Sequence, residues 1–253
     1  MGIERAMLLI ADIGGYTRFM TVHRWNLTHA QNIVARLLEA VIDGAGRLKL
    51  AKLEGDAAFF YAPVGNSRAL AVSRQVAEML RAFVRQKEQL VADRMCNCDS
   101  CMQIEQLKLK FVAHEGEVAF QRVKGHTELA GVDVILVHRM LKNDVPVPEY
   151  VLLTDAALAQ VDEGLRPFAR TLTHDFEGIG QTSTHYIDLK ELAVEKPTAR
   201  QRSLLGRLWQ KVKMELRGVP YLLGLRKPCN AFHNFEEALG KLPAGKAVKE
   251  NPS

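Results

Sequence analysis

Two aspartates stand where apolar strands leave the interior. Asp12 follows Leu8-Leu9-Ile10-Ala11 and precedes Ile13-Gly14-Gly15, and Asp56 follows Lys52-Leu53-Glu54-Gly55 and precedes Ala57-Ala58-Phe59-Phe60. A carboxylate beside glycine at a strand end caps its own turn, or it converges with a second carboxylate on a divalent cation. A separate group of soft ligands lies in the stretch CNCDSC, where Cys96, Cys98 and Cys101 follow a C-x-C-x-x-C spacing. Three thiolates within six residues suit zinc or an iron–sulfur cluster. A closed zinc site needs a fourth ligand, which Cys229, a histidine or a partner chain could supply. The competing reading is three reduced thiols near a turn, because clustered thiols in a cytosolic chain rarely form structural disulfides.

The elements that must hold these residues are legible as periodicities. Residues 5–12 form a strand. LTHAQNIVARLLEAVIDGAG carries Ile33, Val34, Leu37, Leu38, Val41 and Ile42 at three-and-four spacing, which predicts an amphipathic helix ending at Gly44 or Gly46. LKLAKLEGDAAFFYAP predicts two strands joined by a tight turn at Glu54-Gly55, and residues 66–90 a second long helix. LKLKFVAHEGEVAFQRV predicts a hairpin turning near Glu115-Gly116. GVDVILVHRMLKN predicts a helix stopped at Val145-Pro146, followed by the strand YVLLT, the short helix DAALAQV and the closing strand TSTHYIDL. This order predicts an α+β fold: a ferredoxin-like βαββαβ sheet with helices on one face.

The chain has 253 residues, 47% of them hydrophobic and 25% charged, which fits a globular protein with a sizeable core. It contains no apolar run of membrane-spanning length and no signal-peptide pattern near its start, so a cytoplasmic location is expected. Charge is uneven. Residues 196–227 hold nine Lys or Arg against the single acid Glu215, a local +8 within a chain of net +5. The expected organisation is a domain over 1–195 with a Cys-rich insertion at about 93–104, a basic helical extension over 196–240 and a disordered tail over 241–253. In the extension, Leu204, Leu205, Leu208, Trp209, Val212 and Leu216 form one helical stripe ringed by basic residues. Packing on the domain or on a partner protomer is preferred over an anionic membrane surface, and no nucleic-acid partner is expected. His114 and His138, in apolar patterns, are expected to be satisfied structural histidines.

Four motifs in order resemble the catalytic domain of class III adenylate and guanylate cyclases, over roughly residues 5–190. ADIGGYT resembles the opening aspartate motif and KLEGDAAFF the second metal motif. LKFVAHEGEV resembles the following hairpin, and GVDVILVHR the helix that carries a catalytic arginine. The resemblance implies two magnesium or manganese ions held by Asp12, Asp56 and the carbonyl of Ile13, with Gly14, Gly15 and Gly55 admitting phosphate close to the backbone. It implies that Lys52 and Glu128 read the base, with lysine favouring adenine. Arg139 would stabilise charge on the phosphoryl group. It also implies a homodimer in which one chain supplies the metal aspartates and the other the base and arginine contacts.

Two positions depart from the pattern. Ile135 stands where the family places a ribose-orienting asparagine, with Asn143 one turn beyond Arg139 on the same face. Ile179, between Gly178 and Gly180, stands where the family places a phosphate-binding lysine. Two functions are therefore expected as alternatives. One is a cyclase forming cyclic AMP from ATP. The other is a catalytically degenerate homologue that senses nucleotide, metal or redox state.

Overall fold

A computed structural model describes residues 2–22, 27–64, 71–94, 99–124, 126–195, 203–209 and 212. In chain order the elements are β1 (Ile3–Gly14), α1 (Tyr16–Val22), α2 (Leu27–Asp43), β2 (Lys49–Glu54), β3 (Ala57–Pro63), α3 (Val72–Ala92), α4 (Asp99–Met102) and β4 (Lys108–Val123). Then come β5 (His126–Ala130), α5 (Val132–Arg139), β6 (Tyr150–Thr154), α6 (Asp155–Leu158), β7 (Arg170–Phe176) and β8 (Gly180–Asp188). The strands make one eight-stranded mixed sheet in the order β2-β3-β1-β4-β6-β8-β7, with β5 paired to β4. β1 is antiparallel to both neighbours, while β4 and β6 run parallel.

β1 is apolar and buried from Ala6 to Ala11 because both faces of the sheet are covered there. Met7, Leu9, Ala11 and Ile13 join one core with Ile33, Val34, Leu37 and Val41 of α2 and Val76, Met79 and Phe83 of α3. Ala6, Leu8 and Ile10 join a second core with Leu136 and Val137 of α5, Met140 after it, Phe59 and Tyr150. Helices therefore lie on both faces, whereas the sequence pattern predicts them on one. α5 packs opposite α2 and α3, and its short apolar side is satisfied by the alternate residues of β1, β3 and β4.

Three further differences have local causes. β4 runs unbroken through Glu115-Gly116 instead of turning there. Gly116 is needed because a Cβ at that position would lie 2.3 Å from the Asp133 side chain at the start of α5, so the glycine marks close packing and not a turn. β7 and α1 are not anticipated from the pattern. β7 alternates weakly (Arg170, Thr171, Thr173 and Asp175 are polar) and depends on its antiparallel pairing with β8. Lastly, Leu204, Leu205, Leu208, Trp209 and Val212 of the basic extension are exposed (Trp209 71%), so these described residues of the stripe are not buried against the domain. The remainder of the extension and the tail lie outside the described residues, as do Cys96 and Cys98. No described helix is long and apolar enough to cross a membrane.

Candidate functional site

The antiparallel register sets Asp12 of β1 opposite Ala57 of β3 and Lys110 of β4. The β2–β3 hairpin turns at Gly55 (φ 71°, the left-handed region that suits glycine) and Asp56. The Ile13 N–H donates to the Asp56 carbonyl at 3.1 Å, which pins this turn against the end of β1. Asp12, Ile13 and Asp56 thus come together at one end of the sheet, the two carboxylates 44 residues apart in sequence.

The electrostatics are those of a partly buried carboxylate pair that one lysine relieves only in part. Burial, and then the neighbouring Asp12 charge, raise Asp56 to about 6. Lys110 Nζ lies 2.8 Å from Asp12 Oδ2. Burial works against its charge, but the hydrogen bond and charge of Asp12 prevail and raise it. Tyr16 is raised by burial and by Asp56. Lys110 is a site residue that the sequence reading misses. The available signal is its alternation: in LKLKFVAH, Lys110 and His114 share a strand face with Val112, and that face is buried.

The residues assigned to the base and the phosphoryl group are placed differently. Lys52, on the edge strand β2, is 55% exposed at its side chain and 3.8 Å from Glu54. Glu54 also meets His138 Nε2 at 3.2 Å, while His138 Nδ1 donates to the Val134 carbonyl at 2.7 Å and the ring packs edge-on to Phe59. Lys52, Glu54 and His138 therefore form a chain from β2 to α5, and Glu54 is its unanticipated centre. Arg139, next on α5, donates to Glu177 at 2.5 Å in the β7–β8 turn. Glu128 stands exposed on β5, outside this chain.

The departures are structural as well as compositional. Ile135 is 51% exposed on α5. Ile179 packs against the α5-side core, and its N–H closes the β7–β8 turn onto Phe176. Asn143 is committed to local hydrogen bonds. Its amide donates to the Met140 carbonyl, and its oxygen accepts from the Val145 N–H and the Tyr150 hydroxyl. His114 is satisfied, with Nδ1 on Thr154 and Nε2 on Asp133. Among the described residues, no group of three or more His, Cys, Asp or Glu forms a metal set.

This fold is shared with catalytic domains of class III adenylyl and guanylyl cyclases. The guanylate cyclase domain of RhGC from Catenaria anguillulae, solved with GTP, matches 74% of this chain and 98% of its own at 12% identity and TM-score 0.51. Adenylate cyclases from Trypanosoma brucei, solved in their monomeric state, match 72% of this chain and 87% of theirs at 16% identity and TM-score 0.51. At these identities the likeness concerns the fold alone. By sequence, the chain belongs to one family with the uncharacterized protein Rv2561/Rv2562 of Mycobacterium tuberculosis. The two are 53% identical over 211 residues, which is 83% of this chain and 99% of that protein. Residues 34–150 match the family described as a protein of unknown function, DUF2652.

Proposed function

We propose that this chain binds ATP with two divalent cations and forms cyclic AMP at a site shared by two copies. The observation that carries the reading is the Asp12–Asp56 pair, two adjoining carboxylates of which one is raised to about 6 by burial and by its neighbour. Such a pair is a fitting donor set for a hard cation. Cyclase folds build this site on a split βαβ arrangement, and the strand order β2-β3-β1-β4 is in keeping with it.

In the reaction, the ribose 3′ oxygen bonds to the α-phosphorus, and the bond from that phosphorus to the oxygen bridging to the β-phosphate breaks. Pyrophosphate leaves and the hydroxyl proton passes to water. Bound magnesium or manganese would ease that deprotonation and neutralise the departing charge. Asp12, Asp56 and the Ile13 carbonyl hold the cations. Lys110, already within the carboxylate pocket, pairs with a triphosphate oxygen. Lys52 donates to adenine N1, and Glu128 accepts from the exocyclic amine. Arg139 leaves Glu177 to stabilise the phosphoryl oxygens. The base and arginine residues come from the second copy. Leu50 and Leu53 on β2 and Val132 and Ile135 on α5 are exposed apolar residues that suit an isologous contact.

A second reading, a nucleotide-binding homologue without turnover, is favoured by Ile135, by Ile179 partly buried against the apolar cluster and by the committed Asn143. The test is incubation with ATP, GTP, CTP and UTP in turn, with manganese, beside Asp12→Asn and Asp56→Asn. A cyclic product lost in both variants supports the cyclase. Folded protein that binds ATP by calorimetry but yields no product supports the second reading. Absence of both product and binding removes both.

A further inference from the structure

Lys110 is a cation built into a pocket that has to admit cations. Asp12 and Lys110 are register partners on adjacent antiparallel strands, so their side chains leave the same face of the sheet. Lys110 Nζ reaches Asp12 Oδ2 at 2.8 Å, with the two side chains 24% and 14% exposed. A pair this enclosed is little screened by solvent. The charge of Lys110 also acts on Asp56. On the other side of β4 stands Tyr150 of β6, within electrostatic reach of the same ammonium. Burial raises the Tyr150 phenol, while its hydrogen bond with Asn143 and the charge of Lys110 lower it. The Tyr150 hydroxyl donates to Asn143, so toward Lys110 it can only accept.

We propose that Lys110 is a resident counter-ion that makes cation binding conditional on nucleotide. Without nucleotide the ammonium holds Asp12. A bound triphosphate draws it away and opens the carboxylates to a divalent cation. This inference rests on reading the carboxylates as a nucleotide and metal site, and it adds an order of loading to that reading.

The physical argument has three steps. An ammonium in contact with Asp12 offsets the charge that attracts a divalent cation, and a cation arriving at that carboxylate meets a like charge. Lysine carries three donors on a flexible four-carbon stem, so it can exchange a carboxylate oxygen for a phosphate oxygen with β4 in place. The same ammonium offsets the repulsion between the carboxylates and an incoming triphosphate. Lys110 therefore opposes the metal alone and assists the nucleotide alone. Linkage makes the coupling reciprocal: the factor by which nucleotide tightens cation binding is the factor by which the cation tightens nucleotide binding.

The test compares the full wild-type chain with Lys110→Gln and Lys110→Met, and with Asp12→Asn as the control for the cation site. Manganese is titrated without nucleotide and the free ion is followed by electron paramagnetic resonance. ATP is titrated by calorimetry with EDTA present. Both Lys110 variants should bind manganese alone about tenfold or more tightly than the wild type, and metal-free ATP about tenfold more weakly. Opposite shifts from one substitution separate this role from that of a structural ion pair, whose loss would move both affinities the same way or neither. Circular dichroism reports folding. Lys110→Gln keeps a hydrogen-bond donor for Asp12, so it carries the test if Lys110→Met fails to fold. Manganese binding no tighter in the variants than in the wild type overturns the proposal and leaves the site itself standing. Tighter manganese binding with unchanged ATP binding overturns it too, since Lys110 would then guard the carboxylates without answering to nucleotide. Manganese binding that survives Asp12→Asn, or no binding of manganese or ATP by any chain, removes the proposed site and this inference with it.

Discussion

The two halves of the candidate site differ in how their charges are settled. At the end of β1, Asp12 and Asp56 adjoin one another, and among the described residues Asp12 alone forms an ion pair there, with Lys110 at 2.8 Å. Burial and like charge leave Asp56 raised to about 6. Along the α5 edge each group already has an internal partner: Lys52 and His138 with Glu54, and Arg139 with Glu177. The first half is costly without a ligand. The second is satisfied without one, and isoleucines stand at the two positions that the cyclase resemblance assigns to ribose and phosphate contacts. On the proposed reading, one half would hold the metal while the other has lost the cyclase pattern, so the two halves should answer differently to substitution.

The largest effect is expected at the carboxylates. Asp12→Asn or Asp56→Asn should reduce manganese-dependent product formation by about 1,000-fold or more, since both the metal and the charge it neutralises are lost. Product chromatography with ATP checks this. Equal and small losses for both variants would break the division between halves, because the metal end would then carry no more of the barrier than a surface carboxylate.

At the rebuilt edge, restoration is more telling than removal. Ile135 is half-exposed, so Ile135→Asn costs little stability and returns a donor to the ribose position. We expect turnover with ATP to rise by about tenfold to about a hundredfold, the range of a single recovered transition-state contact. No gain from Ile135→Asn, alone or with Ile179→Lys, would place the loss elsewhere than in these two positions and favour a binding role.

How far the sequence discloses these halves depends on what each relies upon. Asp12 and Asp56 are marked by local pattern, since a strand end, a glycine and a carboxylate lie within a few residues. α2 is marked by Ile33, Leu37 and Val41, all buried as their spacing requires. Glu54, His138 and Glu177 acquire their roles only through tertiary pairing between β2, α5 and the β7–β8 turn, and no local pattern carries that information. Gly116 is misleading for the same reason. A glycine in a polar stretch implies a turn, but its cause is Asp133, seventeen residues away. The apolar run of β1 marks it as a buried strand, whereas the covering of its second face by α5 is not anticipated.

The carboxylate pair also predicts a pH signature. Asp56 in the folded chain titrates near 6, against 3.8 for the ordinary side chain. Between these values the folded state holds the extra proton, so metal-free stability falls as pH rises through that window and levels off above it. The group is half-exposed, so solvent screening reduces the effect to about 1 kcal/mol. Urea unfolding at pH 4.5 and 7.5 measures the slope. Manganese should raise the midpoint more at pH 7.5 than at pH 4.5, and Asp56→Asn should remove both the slope and the metal effect. A stability that rises through this window would mean that Lys110 neutralises both carboxylates and that the end of β1 is as settled as the α5 edge.

The smallest expected effect tests whether the α5 edge is closed by Glu54. Its carboxylate lies 3.8 Å from Lys52 and 3.2 Å from His138. His138 Nδ1 is committed to the Val134 carbonyl, so Nε2 attracts the carboxylate when the ring is protonated. Lys52 therefore shares its partner, and a pair this exposed is worth at most about 1 kcal/mol. Glu54→Gln removes the anion while keeping the shape. Lys52 is then freer to donate to adenine N1, and the preference for ATP over GTP should rise about two- to fivefold. Competition binding of the two nucleotides to the variant measures this without requiring turnover. A shift toward GTP instead would make Glu54 the base reader, since a carboxylate accepts from guanine N1–H and N2–H, and the apparent closure of the edge would then be the resting state of a specificity pocket.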